Sequence, residues 1–326
     1  MMEFKNTWQP TTTLPMLHCR AKLLADIRKF FAERRVLEVE TPLLSQATVT
    51  DPHLHSFQTQ YYLDNSQHQQ TLFLQTSPEF SMKRLLAAGS GPIYQISKAF
   101  RNQGESGRYH NPEFSLLEWY RPDYDHHQLM DEVEALLKKL LACGPAQRFS
   151  YAEVFQRYLS CNPHRLTLSE LKQLSLGLGL GTENLDLNTI ADYLNFLMSN
   201  IIEPQLPRQL VFIYDYPVTL AALAKVRNDT IPVAERFEVY LNGIELANGF
   251  HELNDANEQR LRFQNDLCTR EKLAYPSVPI DEYLLAALTH GLPDCAGVAL
   301  GLDRLLMLMA NANKLSDVIS FSIQRS

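Results

Sequence analysis

The sequence lacks features that would assign it to several classes of protein at once. Its five cysteines are scattered and form no CxxC pair, so we expect neither a disulfide framework nor a structural zinc site, and a reducing, cytoplasmic compartment is predicted. No apolar run approaches the ~18 residues of a membrane span, and the N-terminus shows no secretory signal, so no membrane partner is expected. The sequence also has no GxxxxGKS or GxxxxGKT phosphate-binding loop and no internal repeat.

The overall composition is that of an ordinary globular protein. Hydrophobic residues make up 45% and charged residues 21% of the 326 residues, which allow one large or two ordinary domains. The net charge of −7 argues against broad nucleic-acid binding, which relies on a basic surface.

The order of periodic segments predicts an α+β fold. Residues 17–35 have the spacing of an amphipathic helix, and residues 126–144 have that of a second helix closed by Gly144. Residues 92–102 and 113–122 are predicted to be consecutive strands, which favours a mostly antiparallel sheet over a doubly wound fold. Short helical segments between residues 145 and 205 predict a small helical insertion within a single domain.

Residues 236–250, RFEVYLNGIELANGF, predict a hairpin with a two-residue type I′ turn at Asn-Gly. Such a turn pairs Tyr240 with Glu245 and Glu238 with Ala247, so both glutamates lie on one face within side-chain reach. On a buried face they repel unless one is protonated or a cation lies between them, and oxygen ligands of this kind suit Mg²⁺. A solvated face explains the pattern equally well.

With regular alternation, the side chain of Glu252 points to the opposite face of the strand from that of Glu245. If Glu252 lines the same face, an extra residue must interrupt the alternation, and we predict a β-bulge near Gly249.

Two arginines indicate triphosphate binding. Arg101 lies at the base of the predicted hairpin of residues 92–122, and Arg304 closes the Gly-Leu-Asp-Arg segment before a helix. Guanidinium forks suit phosphate oxygens.

Three segments resemble motifs 1, 2 and 3 of class II aminoacyl-tRNA synthetases: VLEVETP from residue 36, FRN…YHNPEF…EWY from residue 100, and GVALGLDR from residue 297. More narrowly, TSPEFSMKRL, HNPEF, ELANGFHELNDANEQ and GVALGLDR are similar to the lysyl-tRNA synthetase catalytic domain. The resemblance runs in order from about residue 17 to the end of the sequence. It implies the class II fold, an antiparallel sheet flanked by helices, as one catalytic domain over residues 1–326 with the helical insertion at 145–205.

One departure from lysyl-tRNA synthetases narrows the resemblance. Those enzymes carry an N-terminal OB-fold that binds the anticodon, and here the motif 1 helix begins almost at once, so no OB-fold is expected. Compact lysyl-synthetase-like ligases that lack it activate (R)-β-lysine with ATP and transfer it to a lysine side chain of elongation factor P. The resemblance therefore implies an ATP-dependent ligase that uses Mg²⁺, takes (R)-β-lysine or lysine, has elongation factor P as partner, binds no tRNA and forms a homodimer.

The resemblance assigns the nucleotide contacts residue by residue. It places Arg101 at the α-phosphate and the attacking carboxylate, Arg304 at the γ-phosphate, and Mg²⁺ on Glu238 and Glu245. The full set implied for ATP is Arg101, Asn102, Gln103, Asn111, Phe114 (stacked on adenine), Glu245, Leu246, Gly301 and Arg304.

A lysine-like substrate carries two ammonium groups, and each needs a carboxylate partner once desolvated. The resemblance implies Glu79 for the backbone-type amine and Glu118 for the terminal ammonium. The full set implied for the substrate is Ser77, Pro78, Glu79, Glu118, Tyr120, Asn248, Glu252 and Ala299. Lys83 and Arg84, further along the same predicted helix, are interpreted as surface residues.

Two positions depart from the family pattern. Gln103 stands where motif 2 usually has glutamate; either its amide oxygen accepts from adenine, or Glu105 in a longer loop replaces the carboxylate. Ala299 stands where lysyl-tRNA synthetases tend to have glycine, and we hypothesise that its methyl favours a β-amino acid.

Two other functions are compatible with the motifs. The first is a minimal synthetase that charges tRNA with lysine, which the acidic balance and the lack of an anticodon domain disfavour. The second is a catalytically silent paralogue with a regulatory role. Such paralogues often lose motif residues, whereas this sequence retains Arg101, Glu238, Glu245, Glu252 and Arg304.

Overall fold

The computed structural model describes residues 8–63, 69–102, 107–181, 185 and 187–326. Tertiary contacts divide the chain into two compact units, Met1–Asp123 with Asn254–Ser326 and Tyr124–Leu253. The organisation as one domain with an insertion stays a prediction. Within the described residues, no helix combines the length and the apolarity needed to cross a bilayer.

Strands and helices are numbered along the chain. The strands are β1 Leu37–Glu38, β2 Leu44–Ser45, β3 Gln58–Tyr62, β4 Gln69–Leu74, β5 Ile93–Phe100, β6 Glu113–Pro122, β7 Gln147–Ser150, β8 Leu210–Pro217, β9 Val226–Arg227, β10 Val233–Leu241, β11 Ile244–His251 and β12 Cys295–Gly301. The α-helices are α1 Leu14–Glu33, α2 Glu79–Ala87, α3 His126–Leu141, α4 Tyr151–Leu159, α5 Leu168–Gly177, α6 Ile190–Leu197, α7 Ala256–Lys272, α8 Glu282–Gly291 and α9 Leu302–Met309.

The first unit contains a sheet in the order β1-β5-β6-β12, in which β6 is antiparallel to both neighbours and β1 is parallel to β5. Helix α1 covers one face of it: the Phe31 ring lies 5.4 Å from Trp119 and 4.4 Å from Tyr94. Because side chains alternate along a strand, the other face of β6 carries Glu118 and Tyr120. A small antiparallel sheet, β2-β4-β3, belongs to the same unit.

The second unit contains a sheet in the order β11-β10-β8-β7, and β9 also pairs with β10. Apolar side chains of β8 and of helices α4 to α6 form a buried core on one face of it, with Phe155, Leu197, Val211 and Ile213 fully buried. The helices begin with capping boxes at Ser150, Thr167 and Thr189, in which side chain and backbone satisfy each other's hydrogen bonds.

Most elements predicted from the sequence are confirmed, including the α+β class and the consecutive antiparallel strands β5 and β6. Asn242 and Gly243 have φ values of 55° and 76°, as a type I′ turn requires. The end of the second predicted helix was placed wrongly: α3 ends at Leu141, and Ala142 caps it in the left-handed region with φ 50°. The short strand β3 and helix α8 were not predicted.

The register of the hairpin differs from the prediction beyond its first two pairs. Tyr240 pairs with Glu245 as expected, but the next pairs are Val239 with Ala247 and Glu238 with Asn248, so the predicted pairing of Glu238 with Ala247 is wrong. The extra residue is Leu246, which is buried. The predicted bulge therefore exists, but three positions before Gly249.

The bulge changes which side chains share a face of β11. Because of the extra residue, the side chains of Asn248 and Glu245 lie on the same face of β11. Continued alternation places Glu252 on that face as well. This is the arrangement for which a bulge was predicted.

Candidate active site

The centre of β6 in the first unit carries a buried carboxylate. Glu118 is 2% exposed, and the Tyr120 hydroxyl donates a hydrogen bond of 2.7 Å to its Oε1. Across the sheet, Glu118 pairs with Gln95 on one side and with Ala299 on the other. The structure thus places Glu118 and Tyr120, two positions apart on one strand, together with Ala299 of the paired strand on the sheet face opposite α1.

Arg101 follows β5 on this same face. Its guanidinium carbon lies 5.1 Å from the centre of the Phe114 ring, within the range of a cation–π contact, and its backbone N–H donates to Pro112 O at 3.0 Å. The arginine assigned to the α-phosphate and the ring assigned to adenine are therefore neighbours. The next residue, Asn102, is held through its backbone N–H by His55 O at 2.7 Å.

Arg304 lies in the first turn of α9, and Gly301 is the N-cap residue of that helix. One guanidinium nitrogen lies 2.9 Å from His110 Nε2. Burial lowers the pKa of His110, and the nearby Arg304 and Arg101 lower it further, so the imidazole is neutral at pH 7 and accepts this hydrogen bond. His110 was not singled out from the sequence, although it precedes the NPEF segment of motif 2.

Asp303, also missed, anchors the start of α9. It is 2% exposed, accepts a hydrogen bond of 2.7 Å from Ser115 N–H of β6, and forms an ion pair with Arg20. This carboxylate fixes the helix that carries Arg304 relative to the strand that carries Glu118.

Asn111 is bonded to the backbone at both ends of its amide. Its Nδ2 donates to Glu113 O at 2.6 Å, and its Oδ1 accepts from Ile323 N–H at 3.2 Å. These bonds give Asn111 a structural role in the motif 2 strand, and its contact with ATP stays a prediction. Gln103 and Glu105 lie outside the residues that the structure describes.

Ser77, Pro78 and Glu79 form the start of α2. Ser77 Oγ accepts a hydrogen bond of 3.1 Å from Glu79 N–H, and Pro78 occupies the N-cap position. Lys83, one turn further on, is 1% exposed, and its Nζ lies 2.7 Å from Glu79 Oε1. The interpretation of Lys83 as a surface residue is therefore wrong, because it forms a buried ion pair with a carboxylate assigned to the substrate.

In the hairpin of the second unit, an arginine side chain forms an ion pair with one of the two predicted metal-binding glutamates. Arg236 pairs with Glu238 Oε1 at 2.5 Å, and the Tyr240 hydroxyl donates to the other oxygen of Glu238. Arg236 also donates to Asn248 Oδ1 at 3.2 Å and to Leu220 O at 2.7 Å. The Glu238 side chain is 12% exposed, so the solvated-face explanation does not hold for it. Arg236 was missed, although its parity places it beside Glu238.

Glu245 and Glu252 are the other predicted carboxylates of the second unit. Glu245 lies opposite Tyr240 and is half-buried, while Glu252 is 1% exposed and forms a backbone bridge with Ala224. Carboxylate oxygens are the ligands that Mg²⁺ prefers, and each oxygen of Glu238 keeps a further lone pair beyond its present bond. The donor set therefore fits a magnesium ion.

Comparison with known proteins agrees with these motifs. The chain matches the family described as tRNA synthetases class II (D, K and N) over residues 8–325. It is 51% identical to a protein of Pectobacterium carotovorum named elongation factor P–(R)-β-lysine ligase, and the match covers 100% of both chains. Proteins with the same name from Yersinia enterocolitica and Salmonella paratyphi B are 50% and 49% identical, with 98% of each chain covered. The chain therefore belongs to the class II tRNA synthetases of the D, K and N group.

Proposed function

We propose that this protein is an ATP-dependent ligase that activates (R)-β-lysine as an aminoacyl-adenylate and transfers it to a lysine side chain of elongation factor P. The observation that carries the proposal is the buried Glu118 carboxylate, which Tyr120 orients on the face of the class II sheet opposite α1. A carboxylate in this position is complementary in charge to the ammonium group of a lysine side chain. The full-length relatives named for this reaction support the same choice.

The activation step needs charge stabilisation more than covalent chemistry by the protein. The carboxylate of the amino acid attacks the α-phosphate of ATP, the bond to the β-phosphate breaks, and pyrophosphate leaves. We assign Arg101 to the developing charge at the α-phosphate and Arg304 to the γ-phosphate. Neutral His110 accepts a hydrogen bond from Arg304 and so orients it without adding a competing positive charge.

The transfer step is an aminolysis. The uncharged amine of the acceptor lysine attacks the acyl carbon of the adenylate, an amide bond forms, and AMP leaves with the bonding electron pair of the broken acyl–oxygen bond. The attacking nitrogen loses one proton to solvent. Glu118, with Glu252, is assigned to the terminal ammonium of β-lysine and Glu79 to the other amine. Lys83 fixes the side chain of Glu79 through their 2.7 Å ion pair.

Glu238 and Glu245 are assigned to Mg²⁺, which would neutralise charge on the phosphates of ATP when bound. Arg236 and Tyr240 hold the Glu238 carboxylate in one orientation, and thereby prepare its remaining lone pairs for the ion. A homodimer without a tRNA partner is part of the same proposal, and light scattering after size-exclusion chromatography tests the dimer.

The preference for a β-amino acid is assigned to Ala299. Its backbone pairs directly with that of Glu118, so its methyl group lies beside the carboxylate that binds the terminal ammonium. A methyl group in a substrate site changes selectivity by roughly 10-fold or more. Ala299→Gly should therefore raise kcat/KM for α-lysine about tenfold relative to (R)-β-lysine, and an unchanged ratio contradicts the assignment.

ATP–pyrophosphate exchange without any acceptor tests the activation step. Exchange should depend on (R)-β-lysine, be slower with α-lysine, and fall at least 100-fold in Arg101→Gln, since one charge-stabilising donor contributes roughly 10²–10³ in rate. Arg165→Gln, at an exposed position, is the matched control and should exchange at the wild-type rate. Amino-acid binding without exchange would instead identify a silent paralogue.

A further inference from the structure

Three potential metal ligands meet in the second unit, apart from the residues assigned to the reaction. His126 is the first residue of α3, Glu235 lies in β10, and His251 is the last residue of β11. One donor atom from each lies within 4.8 Å of the other two. All three side chains are buried, and His126 is 1% exposed.

His126 is the unusual member of this cluster. Among the described residues, neither of its ring nitrogens has a hydrogen-bond partner; Nε2 lies 3.3 Å from Asp215 Oδ1 without hydrogen-bond alignment. A buried polar group without such a bond destabilises the fold, because it has lost its hydrogen bonds to water without replacement. A metal ion bound through one ring nitrogen would supply the partner that this buried imidazole lacks among the described residues.

The carboxylates around the cluster outnumber the guanidinium group that contacts them. Arg227 contacts three carboxylates, with distances of 2.8 Å to Asp215, 2.7 Å to Asp229 and 3.1 Å to Glu235. One guanidinium offsets only one of these three carboxylate charges. A divalent cation restores the balance.

Two imidazoles and one carboxylate are ligands of zinc sites, with a fourth position for water or another carboxylate. We propose that His126, Glu235 and His251 bind a Zn²⁺ ion. The cysteine pattern predicted no structural zinc site, and this one is built without cysteine. Zinc would replace the proton between His251 Nδ1 and Glu235 Oε2, now 2.6 Å apart, and release that proton to solvent.

Asp215 and Arg227 contact the proposed zinc ligands from outside the cluster. Asp215 lies beside the His126 ring, and Arg227 holds both Asp215 and Glu235, so the two fix the orientation of the ligands. The ion would connect the start of α3 to strands β10 and β11. The role expected from this position is stabilisation of the second unit.

The first test is titration of metal-free protein with Zn²⁺ against a chromophoric chelator, with metal content checked by elemental mass spectrometry. Wild-type protein should bind one Zn²⁺ per chain, and His126→Gln should weaken binding at least 100-fold. His127→Gln is the matched control, because His127 is exposed and adjoins His126 without belonging to the cluster, and it should bind like wild type. Asp215→Asn should weaken binding roughly 10–100-fold.

Equal affinity in wild type and His126→Gln, or no bound zinc in wild type, overturns the proposal. Circular dichroism shows whether each variant folds. If His126→Gln does not fold, the decision passes to wild-type protein loaded with Co²⁺, which should show the intense visible absorption of a tetrahedral site. A weak octahedral spectrum overturns the proposal. None of these measurements depends on ligase activity, so their outcome is independent of the proposed reaction.

Discussion

Replacing Lys83 with methionine should destabilise the fold far more than replacing the neighbouring Arg84 with methionine. Lys83 is 1% exposed and its ammonium group lies 2.7 Å from the Glu79 carboxylate, so the substitution leaves a mostly buried carboxylate without this cation. Arg84 is exposed, and its guanidinium lies 4.9 Å from the centre of the Tyr283 ring. The two positions therefore compare a buried ion pair with a surface contact on one helix.

The magnitude follows from the environment of the pair. Removing one partner of a buried ion pair costs about 3–5 kcal/mol when the other is fully desolvated. The Glu79 side chain keeps 17% exposure, so water can partly solvate it. We therefore expect Lys83→Met to lower the free energy of unfolding by about 2–3 kcal/mol, and Arg84→Met by about 0.5–1 kcal/mol, the value of an exposed cation–π contact.

A double-mutant cycle isolates the interaction between the two side chains. Urea unfolding of wild type, Lys83→Met, Glu79→Gln and the double variant should give a coupling free energy of roughly 1.5–3 kcal/mol, because the double variant buries no lone charge from this pair. Additivity of the two single variants within ~0.5 kcal/mol would refute the reasoning. So would equal losses in Lys83→Met and Arg84→Met.

The remaining predictions concern a substrate contact, a titrating carboxyl group and a turn. Glu118→Gln removes the charge assigned to the terminal ammonium, and a hydrogen bond to a charged group is worth about 1.5–3 kcal/mol, so KM for (R)-β-lysine in pyrophosphate exchange should rise at least tenfold while KM for ATP stays within about twofold. Burial raises the pKa of Asp266 from 3.8 to about 6. Because the pKa is higher in the folded state, the protonated carboxyl group contributes to stability at low pH. That contribution is lost as the pH rises through about 6 and the buried group ionises. Asp266→Asn should therefore stabilise the protein by roughly 1–2 kcal/mol at pH 8, after allowance for partial exposure, and by almost nothing at pH 4 in urea unfolding. Gly243 has φ +76°, and an added Cβ would lie 3.0 Å from a backbone oxygen, so Gly243→Ala should cost about 1–3 kcal/mol of unfolding free energy.

Each of these predictions has an outcome that contradicts it. An unchanged KM for β-lysine in Glu118→Gln would remove this carboxylate from substrate binding. A gain of equal size at both pH values in Asp266→Asn would mean that the effect is not electrostatic. Gly144→Ala is the control for the turn, since its added Cβ meets no atom of a described residue within 4 Å apart from its chain neighbours. It should change stability by less than about 0.5 kcal/mol, and a similar loss in both variants would argue against a specific clash.

Local pattern predicted the features that depend on neighbouring residues. The Asn-Gly turn has the positive φ values that its sequence requires, and Tyr120 and Glu118 share a face because side chains alternate along a strand. The motif 2 and motif 3 segments fold as the strands and helix that were expected, which places Arg101 beside Phe114.

Features that depend on packing were placed less well. A type I′ turn fixes the register only for the nearest pairs, and the bulge falls at Leu246, whose side chain is buried in the fold. Nothing in the local sequence distinguishes that position from Gly249. Lys83 has the i, i+4 spacing of a pair with Glu79, as the sequence shows. Its burial, however, depends on how α2 packs in the first unit, and α2 packs against α8, a helix that was not predicted.

One signal was present in the sequence and was not used. Arg236 precedes Glu238 by two residues and so shares its face of the strand, as the same alternation shows. The Arg236 guanidinium is a third explanation for two glutamates on a buried face, besides a protonated acid and a magnesium ion.

The most direct test of the proposed function is the intact mass of elongation factor P after incubation with this protein, ATP, Mg²⁺ and (R)-β-lysine. Parallel reactions contain α-lysine, and bulk tRNA as the acceptor. The account predicts that elongation factor P gains the mass of one lysyl group, faster with (R)-β-lysine than with α-lysine, and that tRNA remains uncharged. Charging of tRNA without modification of elongation factor P would contradict the account and favour a minimal synthetase, and transfer to neither acceptor would favour a silent paralogue.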